Sequence, residues 1–124
     1  MIYYGQKANE ILNGNLKENA SIFSKGYFKE SDKWIAFDNY SGNCFVEEFS
    51  REEIAIAWLV NYFDMSEIGE FEISKIFKGL YYIKGKGVLK VKFERDKFTS
   101  KLFRLPKRLD IRFYYDAITS NTHN

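Results

Sequence analysis

One histidine, His123, and one cysteine, Cys44, bound the chemistry open to this chain of 124 residues. His123 lies in the polar stretch 120–124, which reads as a disordered tail. A catalytic imidazole must be held within hydrogen-bond reach of its substrate, and a frayed end does not hold one. Ser-His-Asp and Cys-His mechanisms are therefore disfavoured, and zinc sites built from His and Cys are excluded by count. Cys44 precedes Phe45 and Val46 and reads as a small buried hydrophobe. A reactive thiolate needs a cationic neighbour, whereas the nearest charges here are Glu47 and Glu48. No catalytic residue, metal ligand or cofactor is expected.

Carboxylates cluster at Glu47, Glu48, Glu52 and Glu53. Such a group can hold Mg²⁺ or Ca²⁺, but no EF-hand spacing accompanies it. Ser50-Arg51-Glu52-Glu53 instead fits a capping box, with Glu53 reaching back to the Ser50 backbone. Glu47, Glu48 and Glu52 then remain as an acidic face for docking a basic partner. Lys84-Gly85-Lys86-Gly87 lacks the spacing of a phosphate-binding loop and reads as a hairpin turn.

The basic stretch from Lys75 to Arg112 interleaves cations with Tyr81, Tyr82, Phe93, Phe98, Phe103 and Tyr114. Nucleic-acid binders use cations for phosphates and aromatic rings for base stacking. Strand alternation turns many of these rings inward. The expected basic face is Lys84, Lys86, Lys90, Lys92, Arg104, Lys107, Arg108, Arg112 and Tyr114.

These residues must be positioned by local elements. Residues 6–13 read as a short helix, with Gly14 at its C-terminal cap. Residues 22–28 read as a strand weakened by Gly26. Residues 33–38 and 43–49 form the clearest hairpin, turning at 39–42. An amphipathic helix follows over 51–63, its apolar residues covering most of its circumference. Beyond it the period changes to two, with strands near 71–76, at 80–83 and at 88–93. In the last of these, Leu89, Val91 and Phe93 alternate with Lys90, Lys92 and Glu94. Residues 96–105 give no clear period. Pro106 breaks the chain before a final strand carrying Leu109, Ile111, Phe113, Tyr115 and Ala117 on one face.

The fold expected is α+β: a mainly antiparallel sheet of five to six strands, with the 51–63 helix and the short N-terminal helix packed on one side. Residues 1–119 are expected to make a single domain. A composition of 45% apolar and 19% aromatic residues supplies a core without disulfides. No signal peptide and no apolar run of membrane-spanning length is visible, so a cytoplasmic setting is expected.

Net charge is only +2, but it divides unevenly. Residues 1–74 carry 6 Lys/Arg against 13 Asp/Glu, net −7, and residues 75–124 carry 13 against 4, net +9. Such asymmetry points to a charged partner unless the halves neutralise each other. The function expected is a non-catalytic binding protein acting through charged surfaces. Lys-, Asn- and Ile-rich usage fits an AT-rich source. By analogy the setting is a phage or mobile-element protein that binds a host nucleic-acid-processing complex, as anti-CRISPR proteins do. Its partner is then a protein or nucleoprotein complex. The alternatives are direct nucleic-acid binding by residues 75–114 and, less favoured, an enzyme using carboxylates and lysines. Edge strands rich in Tyr and Phe also allow a homodimer.

Overall fold

The computed structural model describes residues 2–15, 23–61 and 73–104. Eight strands account for most of them: β1 (Ile2–Tyr4), β2 (Lys25–Glu30), β3 (Lys33–Asp38), β4 (Phe45–Phe49), β5 (Ile73–Phe77), β6 (Leu80–Ile83), β7 (Gly87–Glu94) and β8 (Lys97–Phe103). They form a mixed sheet in the order β4-β3-β2-β1-β8-β7-β6-β5. Two short helices, α1 (Gly5–Glu10) and α2 (Glu52–Leu59), accompany it, and α1 runs on as a π-helical turn over Ile11–Asn15. The expected fold, five to six strands with a central amphipathic helix, is thereby overturned. The described residues are mostly β. The expected strand after Pro106 and the 120–124 tail lie outside the described residues.

Two of the eight strands carry no readable pattern. β1 is three residues long, too short to alternate, and its partners are distant in sequence. It pairs parallel with β2 through Ile2↔Lys25 and antiparallel with β8 through Ile2↔Phe98. β8 holds Phe98, Leu102 and Phe103 among polar residues, so period two fails there. The turn that launches it places Arg95 at φ 59°, and the Asp96 carbonyl accepts the Tyr4 N–H at 2.9 Å.

By Cα proximity the described residues divide into two compact units, residues 2–61 with 92–99, and residues 73–91 with 100–104. In the first, β2 and β3 pair in register from Lys25↔Asp38 to Glu30↔Lys33, and β3 pairs with β4 from Trp34↔Phe49 to Asp38↔Phe45. Gly26 does more than weaken β2. A Cβ there would lie 2.8 Å from the Phe37 ring and 3.0 Å from Ala8 Cβ, so its absence lets α1 close on the sheet. Ala8, Ile11, Phe28 and Phe37 make the core at that point. Gly14 sits inside the π-helical turn rather than at a cap, and its φ is not in the left-handed region. A layer of rings joins Tyr4 and Phe93 (5.2 Å), Tyr27 and Trp34 (5.8 Å), Tyr27 and Phe98 (5.9 Å), and Phe93 and Phe98 (5.7 Å).

Helix α2 is shorter than expected and is not amphipathic. Six of its eight side chains are buried, Glu53 among them. Asn61, at φ 62°, ends it after Val60 and Asn61 have donated to the Ile56 and Trp58 carbonyls. The capping box does not form. Arg51 holds the N-cap position, no side chain caps the helix, and Glu53 Oε1 pairs with Arg51 Nη1 at 3.1 Å. At the other end the buried Lys25 ammonium donates to the Leu59 carbonyl at 3.0 Å and pairs with Asp38 at 3.4 Å. Phe49 and Trp58, with ring centroids 5.7 Å apart, tie α2 to β4.

The second unit is an antiparallel meander. β5 pairs with β6 through Ile73↔Ile83 and Lys75↔Tyr81, with a register shift between Lys75 and Phe77. β6 pairs with β7 from Leu80↔Lys90 to Ile83↔Gly87. Leu80 and Val88 form a small core covered by Ile76, Tyr82 and Phe103. No helix of the described residues is long and apolar enough to cross a membrane.

Candidate functional site

The sequence of the second unit decides its electrostatics before any geometry enters. Its described residues include Lys75, Lys78, Lys84, Lys86, Lys90, Lys101 and Arg104, and over residues 69–91 and 100–124 its sequence holds ten Lys and Arg against Glu70, Glu72, Asp110 and Asp116. Apart from Lys90, which is half-buried, all of the described cations are exposed.

Three of the cations are gathered by one glycine. Lys84, Gly85 and Lys86 form the β6–β7 turn, closed by the Lys86 N–H donating to the Ile83 carbonyl at 2.9 Å, with Gly85 at φ 79°. Gly87 follows at φ 138°, pressed against the backbone of β8. A Cβ there would collide with the Phe103 carbonyl oxygen and lie 2.9 Å from Arg104 Cα. Only a residue without a side chain permits that approach, and it brings Lys84, Lys86 and Arg104 to one end of the meander. Farther along β8, the Lys101 ammonium lies 5.1 Å from the Phe103 ring centroid.

The aromatic residues expected to interleave with these cations point elsewhere. Tyr81 and Phe98 are fully buried, Phe93 belongs to the ring layer of the first unit, and Tyr82 and Phe103 cover the Leu80–Val88 core. Phe77 is the exposed aromatic ring of the described meander. Lys92 is exposed but belongs to the first unit. Lys107, Arg108, Arg112 and Tyr114 lie outside the described residues.

The acidic residues divide as well. Glu48 is exposed and pairs with Lys33 at 3.2 Å, and Glu47 stands half-buried beside it on β4. Glu52, the first residue of α2, accepts the Tyr27 hydroxyl at 3.1 Å. The pairs Lys25–Asp38, Lys33–Glu48 and Arg51–Glu53 are each closed within the first unit.

Cys44 is exposed, not the buried hydrophobe expected, because β4 begins one residue later and leaves it in the turn region. Partial desolvation, with the Asp38 carboxylate adding to it, holds its thiol above the usual pKa, the reverse of an activated nucleophile. Among the described residues no three His, Cys, Asp or Glu gather as a metal site. An open depression of about 250 Å³ is lined by Asp32, Lys33, Glu48, Phe49 and Ser50, its principal charges already joined as the Lys33–Glu48 pair. No protein-family model, no curated protein and no solved structure matches the chain.

Proposed function

We propose that this chain is a non-catalytic binding protein whose second unit grips a polyanion: the phosphate backbone of nucleic acid, bare or within a nucleoprotein complex. One observation carries the reading, the close approach of Gly87 to β8 that gathers Lys84, Lys86 and Arg104 at one end of the meander, in a unit whose sequence holds ten Lys and Arg against four Asp and Glu. Phosphate contacts by such cations release counterions and supply sequence-independent affinity. Among the described residues most rings of this unit turn inward, so the reading rests on phosphate contacts, which are indifferent to base identity, more than on base stacking. Composition supports a cytoplasmic setting and an accessory protein of a phage or mobile element that regulates a host nucleic-acid complex.

Titration of labelled duplex and single-stranded oligonucleotides at rising salt tests this. Three phosphate contacts by Lys84, Lys86 and Arg104 give a log–log salt slope near −3, about −0.9 per contact on duplex. A Lys84→Glu/Lys86→Glu/Arg104→Glu variant loses that slope. Absence of binding at low salt, or a slope that survives the triple variant, overturns the proposal. Tighter binding to polyglutamate than to either oligonucleotide also overturns it and places the partner among acidic proteins.

A further inference from the structure

The two edges of the sheet are built differently. β5, at one edge, carries Lys75, is followed by Lys78, and has a register irregularity between Lys75 and Phe77. Lysines and bulges are the devices that keep an edge from adding a strand. β4, at the other edge, reads Phe45-Val46-Glu47-Glu48-Phe49, with no Lys, Pro or Gly, and it pairs with β3 in unbroken register.

Exposed apolar area concentrates there. Phe45 is 58% exposed, Val46 48%, Tyr40 49% and Phe23 62%. Phe45 pairs with Asp38, Tyr40 follows two residues later in the same turn, and the Phe23 ring lies 3.5 Å from where a Gly42 Cβ would stand. An apolar cluster of this kind at the start of the strand that ends the sheet among the described residues marks an interaction site. The charge around it is acidic in balance: Asp32, Asp38, Glu47 and Glu48 outnumber Lys33 and the buried Lys25, which pair with Glu48 and Asp38. Beside Glu48 and Phe49, the open depression offers a recess for one incoming side chain.

We infer that the β4 edge binds an extended, basic segment of a partner protein as an added strand. The backbone of β4 supplies the ladder. Phe45 and Glu47 lie on one face of β4 and Val46 and Glu48 on the other, so each face offers the added strand one apolar contact and one carboxylate. A second copy of this chain fits the same edge less well, because β4 meeting β4 brings two acidic edges together.

The test uses the full chain and a fluorescein-labelled peptide of alternating lysine and valine, read by fluorescence anisotropy. Two control peptides accompany it, one with alternate backbone nitrogens methylated and one with glutamate in place of lysine. The lysine peptide binds, and both controls bind at least about tenfold more weakly. Phe45→Lys and Val46→Lys, two exposed positions whose folding is checked by circular dichroism, weaken the lysine peptide by a similar factor. Lys84→Glu/Lys86→Glu leaves peptide binding unchanged or stronger, which separates this edge from the polyanion face. Equal binding of the methylated peptide overturns strand addition, since charge alone then suffices. Failure of the lysine peptide to bind at low salt also overturns the inference. So does a concentration-dependent dimer that Phe45→Lys abolishes, because the edge then belongs to a second copy.

Discussion

Gly87 shows how much one missing side chain can organise. Its φ of 138° is a conformation L-residues rarely adopt, and β8 occupies the space a Cβ would need. Gly87→Ala therefore combines backbone strain with a steric clash and costs about 2 kcal/mol or more of stability. Gly85, two residues earlier, has a positive φ but open space around it, so Gly85→Ala costs only about 1 kcal/mol. Urea denaturation of the two variants measures the difference, and equal losses would show that the approach to Phe103 is not what constrains Gly87. Cys44 is the counterpart among polar positions. Its sequence neighbours read as a buried strand, but where the strand begins decided its exposure, and composition does not encode that boundary.

At the scale of elements, Lys25 joins three pieces of the first unit. From β2 its buried ammonium reaches the Leu59 carbonyl at the end of α2, the Asp38 carboxylate at the end of β3, and the face of Tyr40 at 5.0 Å. Lys25→Met keeps the apolar stem but leaves that carbonyl without its donor and Asp38 without its cation. A loss of about 2 kcal/mol in chemical denaturation is expected, and a neutral result would mean that packing of the stem is the whole contribution. The elements legible beforehand were those with local, repeated patterns. β3 matches residues 33–38, β6 matches 80–83, and β7 and β4 fall within two residues of their expected bounds. Long-range pairing hid the rest. β1 owes its strand conformation to β2 and β8, and α2 stops at Asn61 although Tyr62 and Phe63 continue the apolar run. The basic face was legible as composition. Its focus at Lys84, Lys86 and Arg104 was not, because it depends on Gly87 meeting β8 rather than on residues adjacent in sequence.

For the molecule as a whole, the two units should answer ionic strength differently. The first closes ion pairs within itself, whereas the sequence of the second carries ten Lys and Arg against four Asp and Glu, a net +6. Raising salt from about 0.05 M to about 0.5 M screens the repulsion within that excess of positive charge. Hydrogen exchange of β6 and β7 amides in the second unit should slow, while β2 and β3 amides change little. Uniform slowing across both would mean that general salting effects dominate. Strand order also bears on synthesis. The three residues of β1 lie in the interior of the sheet, flanked by β2 and β8. Phe98, the antiparallel partner of Ile2, leaves the ribosome almost a hundred codons after it. Until then one margin of that short strand stays without its ladder, so the sheet closes only after β8 has emerged, and a chaperone that shields Ile2–Tyr4 in the interval would raise the yield of folded protein.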